Sequence, residues 1–203
     1  MKLALIGASG NIGAKILNEA LERGHQVTGI VRDVSKLQAR DGVSAASCDL
    51  ADEGALAELL RGHDAVIVSV KHNGANVDHV LNACRQAGVK RVLVVGGAAS
   101  LEVAPGVRLL DTPGFPEEIK VEAAPAADFL DRIRQVQDLD WSFVCPSIFI
   151  VPGERTGKFR LGGDELLKDA NGDSRISQED FAVAMLDEVE QPQYLRRRFT
   201  VGY

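Results

Sequence analysis

A doubly wound α/β fold on a mostly parallel sheet is what this 203-residue chain predicts, on three observations. Short apolar runs rich in β-branched residues alternate with amphipathic stretches. The runs are apolar at consecutive positions, as in strands buried on both faces of a parallel sheet. A glycine-rich turn joins the first run to the first amphipathic stretch, as at the start of a βαβ unit.

The elements follow in chain order. Leu3–Ile6 is the first strand. Ile12, Ile16, Leu17, Ala20 and Leu21 share one helical face, and Gly24 stops that helix. Gln26–Val31 is the second strand and Val43–Ser47 a weaker third. Leu56, Leu59 and Leu60 make a short helical stripe before the strand Ala65–Val70. Val77, Val80, Leu81 and Cys84 make another, closed by Gly88, and Arg91–Val95 is the fifth strand. A helix covers part of Glu117–Gln137, where Pro125 is expected to break or kink it. Trp141–Val144 is the sixth strand. With right-handed crossovers, this alternation gives the Rossmann-like order 3-2-1-4-5-6.

After Pro152 the pattern changes. Gly153, Gly157, Gly162 and Gly163 punctuate a loop-rich stretch. Leu166–Asp169 and Ser174–Ser177 flank Asn171-Gly172, which predicts a hairpin. Ser177 then caps a helix carrying Phe181, Ala184, Met185 and Val189 on one face, and Arg198–Val201 reads as a last strand. Residues 1–203 are expected to form one Rossmann-like domain, with 151–203 a substrate-side hairpin-helix segment over the strand ends, walling a pocket.

Composition narrows the function. Hydrophobic residues at 45% and charged residues at 26% are the balance of a soluble globular chain long enough to bury a core. Asp plus Glu is 29 against 23 Lys plus Arg, and the net charge of −6 argues against nucleic-acid or anionic-membrane partners. Three unpaired cysteines (Cys48, Cys84, Cys145) suit a reducing cytoplasm better than a disulfide framework or a zinc site. Leu3–Ile6 is too short for a signal-peptide core, and no apolar run is long enough to span a membrane. The expected partner is a small molecule, and the chain a cytoplasmic monomer or homodimer.

The strongest chemical signal is Gly7-Ala8-Ser9-Gly10-Asn11-Ile12-Gly13. Gly7 permits a sharp turn, Gly10 lets backbone approach a pyrophosphate, and Gly13 lets the helix pack on the sheet. The helix N-terminus favours the phosphate charge. The spacing is GxxGxxG rather than the GxGxxG of ordinary dehydrogenases. The second strand ends in Ile30-Val31-Arg32-Asp33. An arginine there accepts the 2′-phosphate of NADP, whereas a carboxylate would bond the 2′-hydroxyl of NAD. Arg32 comes first and favours NADP, with NAD as the alternative; Asp33 could instead cap a short helix, and Arg32 could be a solvated surface residue. Asp49 either accepts from the adenine amino group or caps the helix starting near Asp52.

GASGNIG, the CDLAD that follows the third strand and the VVGGAAS of the fifth resemble an atypical short-chain dehydrogenase/reductase. The narrower run PGERTGKFRLGGDELLKDANGDSRIS is similar to the NAD(P)H-flavin reductases of the NmrA-like, biliverdin-reductase-B-like branch. The resemblance covers Met1 to Tyr203 and implies one Rossmann-like unit that binds a nicotinamide dinucleotide. It places cofactor contacts on Gly7, Ser9, Gly10, Asn11, Ile12, Arg32, Asp49, Leu50, Ser69, Val70, Gly96, Gly97, Pro146 and Ser147. Strand-end logic selects the same positions, because open α/β sheets bind ligands beyond the carboxyl ends of their strands.

The departures matter as much. Short-chain dehydrogenases usually carry a Tyr-x-x-x-Lys pair. Tyr194 and Tyr203 are the only tyrosines here, and neither has a lysine four residues on; Ile119-Lys120 stands where relatives place tyrosine before lysine. Reduction of an isolated ketone needs a proton donor. A flavin accepting hydride at N5 delocalises the charge, and water completes the protonation, so a flavin or quinone-like acceptor fits. Two candidate catalytic residues remain. His72, in the run Lys71-His72-Asn73, would donate a proton or bond the acceptor, unless it is an exposed loop histidine. Ser100 would bond substrate, unless it caps a turn. Phe115 and Phe149 are candidate pocket walls, with core packing the other job for Phe149.

Other motifs read as structural. Asp169–Asp180 imitates a calcium loop, but Ser174 replaces the turn glycine and Asp180 the bidentate glutamate. The other histidines have no metal spacing, Arg196-Arg197-Arg198 reads as a solvated face, and Cys145 as an inert core residue. The expected function is NAD(P)H-dependent reduction, preferring NADPH, with a flavin possible as substrate. Its rival is a dinucleotide-sensing regulatory protein without turnover. A sugar-nucleotide epimerase or dehydratase is the weaker third reading, since the chain is short and lacks the tyrosine.

Overall fold

The computed structural model describes residues 1–72 and 76–203. The strands are β1 (Lys2–Ile6), β2 (Gln26–Val31), β3 (Val43–Ser47), β4 (Ala65–Val68), β5 (Arg91–Val95), β6 (Glu102–Ala104), β7 (Val107–Arg108), β8 (Asp140–Pro146), β9 (Phe149–Val151), β10 (Arg160–Gly162), β11 (Arg175–Ser177) and β12 (Arg197–Gly202). The helices are α1 (Asn11–Glu22), α2 (Glu53–Leu60), α3 (Asn76–Ala87), α4 (Glu117–Ile133) and α5 (Gln178–Glu190).

The main sheet runs β3-β2-β1-β4-β5-β8-β12-β10. Its first six strands follow the predicted order and are all parallel. Alternate residues of β1 face opposite layers: Ala4 and Ile6 pack with α2, α3 and α4, and Leu3 and Leu5 with α1 and α5. This two-sided burial is why the strand sequences show no polar alternation. Gly24 and Gly88 follow α1 and α3 with φ of +77° and +75°, the left-handed conformation that ends a helix at low cost.

The C-terminal part differs most from expectation. The turn at Asn171-Gly172 forms, with Gly172 N–H donating to Asp169 O at 3.0 Å. Leu166–Asp169 is not a strand, however, and β11 pairs in parallel with β9. The reason lies inside the turn: the Asp169 carboxylate accepts from the N–H groups of Asn171 and Asp173 and closes it locally. No ladder is needed to hold it. β12 adds to the sheet parallel to β8, and β10 pairs with it antiparallel, so this part of the chain also extends the sheet. The small β6–β7 hairpin was not foreseen.

Helix α4 continues through Pro125. The carbonyl that loses its partner belongs to Val121, whose side chain is 77% exposed, so water can satisfy it. The arginine run is not one solvated face. Arg198 is buried, with its guanidinium on Asp164 and on the Ser100 carbonyl, while Arg197 is exposed.

Candidate functional site

The chain order reverses between β1 and β4, so their carboxyl ends form the switch point where open α/β sheets bind ligands. Gly7 turns the chain there with φ +85°, and a Cβ on it would sit 2.2 Å from the Ser69 carbonyl oxygen. A Cβ on Gly13 would lie 2.1 Å from the Gly7 oxygen. These two glycines exist so that β1, β4 and α1 can touch. Gly10 differs: its φ is −75°, and an added Cβ would meet only Gly7 O, at 3.3 Å. The space above it is open. Gly10 is also the N-cap of α1, and no side chain caps that end. Ser9, Gly10 and Asn11 are exposed, so the first-turn N–H groups form an uncapped, solvent-facing cradle of donors, the chemistry that favours an anion.

On the β2–β3 side, Arg32 is exposed immediately beyond β2. Asp33 is engaged elsewhere: one carboxylate oxygen accepts from Ser35 N–H at 3.1 Å and Ser35 Oγ at 2.7 Å. The Ser35 side-chain and backbone hydrogen bonds hold its carboxyl below the usual range. Asp49 is exposed and accepts from Ala51 N–H, Leu50 is half-buried beside it, and Asp52 caps α2 through Ala55 N–H.

On the other side lie the exits of β4, β5 and β8. Ser69 and Val70 are half-buried, and Ser69 N–H still bonds Ile6 O although β4 ends at Val68. A Cβ on Gly96 would lie 2.2 Å from the Phe143 ring, and Gly97 is the more open of the pair. Pro146 and Ser147 are buried, and the Ser147 hydroxyl donates to Val201 O at 3.0 Å, leaving only backbone for a ligand. The sheet thus brings the predicted cofactor positions along one line of strand ends.

The predicted catalytic residues are placed differently. Ser100 is 3% exposed; its hydroxyl donates to Gly97 O and lies 3.7 Å from Cys145 Sγ, and it accepts from Arg198. It stabilises the turn after β5 and does not open onto the strand ends. His72 is not an exposed loop residue. Its ring packs against Phe129 and Phe143, and Nε2 donates to Val95 O at 2.9 Å. Burial, helped by Arg132, pushes its pKa below the usual histidine range against the opposing Val95 hydrogen bond. A neutral ring whose one N–H is held by a backbone carbonyl is a poor proton donor. Asn73 lies outside the described residues. Phe115 packs with Ala99, Leu110 and Ala127, which accounts for its burial. Phe149 is 61% exposed on β9, just beyond β8, so core packing is not its role.

Two acidic residues, Glu19, which the sequence did not single out, and Asp180, read there only as part of a calcium-loop imitation, hold the segment after β9. The segment after β9 lies along α1 and α5. Arg155 donates to both oxygens of the buried Glu19 of α1, and Arg23 donates to the same carboxylate. The Arg155 hydrogen bonds, against the effect of burial, keep the Glu19 carboxyl below its ordinary range. Asp180 of α5, fully buried, accepts from Thr156 and Gly157 N–H, Thr156 Oγ1 and Tyr203 Oη. The ERTG of the narrow motif is therefore a clamp, and the residues imitating a calcium loop belong to a turn and a helix start. A helical position buried yet acidic was the signal available for both. Tyr203 is consumed in this clamp, and Tyr194 stacks on Phe199 with ring centroids 4.3 Å apart.

Comparison with known proteins agrees with this geometry. A family model described as NAD(P)H-binding matches residues 7–192. YwnB of Bacillus subtilis, described as uncharacterized, is 40% identical over 99% of this chain and 98% of its own. A candidate exported protein of Burkholderia pseudomallei has a solved structure that superposes with a TM-score of 0.93 at 44% identity, covering 100% of both chains. A candidate NADH-flavin reductase of Streptococcus pneumoniae superposes with a TM-score of 0.87 at 37% identity, covering 100% of this chain and 99% of that one. Among the described residues, no helix is long and apolar enough to cross a membrane. With a matched model running from the Gly7 turn through α5, the chain belongs to the NAD(P)H-binding family.

Proposed function

We propose that this protein is an NAD(P)H-dependent oxidoreductase that passes hydride from NADPH to a planar flavin or quinone-like acceptor. The observation that carries this reading is the uncapped Gly10 end of α1, combined with the engagement elsewhere, among the described residues, of the Ser100 hydroxyl and the His72 N–H near the β4 and β5 exits. Among the described residues, the Tyr203 hydroxyl, Ser100 and the His72 N–H are hydrogen-bonded to other partners, and Tyr194 stacks on Phe199 beside Ser142, near the start of β8 rather than its exit. An acceptor that delocalises the incoming charge and is protonated by water suits such a site; an isolated ketone does not.

When bound, NADPH supplies the hydride. The chain's own work is positioning. Amides of the α1 N-terminus would grip the diphosphate, Arg32 the 2′-phosphate, and the Gly96-Gly97 backbone would let a flat ring lie close. Phe149 and Val151, on alternate positions of β9 and 61% and 46% exposed, offer an apolar ledge to an acceptor ring.

Stopped-flow and steady-state oxidation of NADPH with FMN, riboflavin and small quinones tests the reading. Turnover with at least one of them is expected; tight binding with none would favour a cofactor-sensing role instead. Arg32→Ala is expected to weaken NADPH by about 10-fold and to leave NADH within about 2-fold, as a 2′-phosphate contact requires. Equal effects on the two cofactors in calorimetry would remove Arg32 from that role.

A further inference from the structure

The ladder between β4 and β5 ends at the Val68–Val94 pair, while β5 runs on to Val95. The chain leaving β4 then sends a side chain back to the sheet: His72 Nε2 donates to the Val95 carbonyl at 2.9 Å. A carbonyl can only accept, so this contact fixes which ring nitrogen carries the proton. The ring is held on two sides, 5.4 Å from the Phe129 centroid on α4 and 5.9 Å from Phe143 on β8. Phe143 is also the ring on which Gly96 rests. His72 therefore ties the exits of β4 and β5 together against one aromatic support, directly behind the place where a nicotinamide ring would lie.

We propose that His72 is a positioning residue: the hydrogen bond from its Nε2–H to Val95 O fixes the separation of the Ser69-Val70 and Gly96-Gly97 exits, and so the seat of the nicotinamide ring. This rests on the reading that NAD(P)H binds across these strand ends. An apolar side chain of similar size would fill the same space between the phenylalanines. It would leave the Val95 carbonyl unpaired and the two exits free to shift. Small misplacements of a reacting ring are costly to rate and nearly invisible to affinity that is anchored at a distant diphosphate.

The test compares His72→Leu, which removes the donor, with His72→Gln, whose amide nitrogen reaches the Nε2 position. The readouts are NADPH affinity by calorimetry, the fluorescence lifetime of the bound reduced nicotinamide, and kcat with FMN. His72→Leu is expected to keep NADPH affinity within about 2-fold while kcat falls about 10-fold and the lifetime moves toward that of free NADPH. His72→Gln is expected to retain wild-type values of all three. If His72→Leu does not fold, His72→Asn, too short to reach Val95, takes its place. Wild-type kcat and lifetime in the donor-free variant, or equal losses in the leucine and glutamine variants, would overturn the proposal. Wild-type protein that gives no heat with NADPH removes the cofactor reading itself, and this proposal with it. Wild-type protein that binds without turnover still leaves the lifetime comparison to decide the role of His72.

Discussion

Gly10→Ala is expected to fold and to lose at least about 10-fold in NADPH affinity, whereas Gly7→Ala and Gly13→Ala are expected to cost about 1–5 kcal/mol of stability. The three glycines belong to one motif but do different work. Gly7 has φ +85°, and its added methyl would stand 2.2 Å from a backbone oxygen of the neighbouring strand exit. A left-handed backbone costs an ordinary residue about 1–2 kcal/mol, and prising packed backbone apart adds about 1–3 kcal/mol. Gly13 has the second problem only, at 2.1 Å. Gly10 lacks the first problem and has the second only mildly, since its φ of −75° suits any residue and an added methyl would meet one atom, Gly7 O, at 3.3 Å, with its other side exposed. That exposed side is the one a diphosphate would occupy. Thermal unfolding and calorimetry on the three variants check the expectation. A well-folded Gly10→Ala protein that binds NADPH like the wild type would remove the cradle from its assigned role.

Asp180→Ala is expected to destabilise the protein by about 2 kcal/mol or more, because four donors at once lose an acceptor that is itself fully buried. Thr156 N–H and Gly157 N–H reach this carboxylate at 2.8 Å, Thr156 Oγ1 at 2.5 Å and Tyr203 Oη at 2.8 Å. The carboxylate is fully buried, and only the charged form can accept all four. Burial alone would raise its pKa, but the hydrogen bonds from Thr156, Gly157 and Tyr203 outweigh it and the net shift is downward. The sign for stability follows. With the folded pKa below the unfolded value, the contribution is complete above the ordinary aspartate range and is lost as pH falls through the folded pKa, because the unfolded chain takes up the proton first. Wild-type protein should therefore lose stability on acidification below about pH 4, and Asp180→Ala should show a shallower decline. Calorimetric Tm values at pH 7, 4 and 3 measure both effects. A variant within 1 °C of wild type at pH 7, or parallel acid profiles, would contradict the clamp; about 1 kcal/mol already moves Tm by roughly 2–4 °C in a chain of this size.

The sheet and the cradle were readable without coordinates for a definite reason. Strands buried on both faces carry consecutive apolar residues, so β1, β2, β4 and β5 announce themselves, and the glycines that let backbones touch have no substitute. Arg32 and Asp33 were separable in kind but not in role. The Ser35 hydrogen bonds that occupy Asp33 are a local turn geometry that either residue's position could have allowed.

What depended on distant parts of the chain lay beyond reach of local pattern. Asn171-Gly172 marked a turn correctly, yet the partner of β11 is β9, more than twenty residues upstream, and pairing between remote segments leaves no periodic trace. His72 looked like a loop residue because nothing nearby in sequence reveals that Val95, Phe129 and Phe143 surround it. Ser100 lost its freedom to Cys145 and Arg198 in the same way. Backbone conformation and two-sided burial are properties of contiguous residues, so the amino-acid order alone set the fold class and the phosphate-sized bend. Which polar groups remain free for chemistry depends on who their buried neighbours are, and only folding brings those neighbours together.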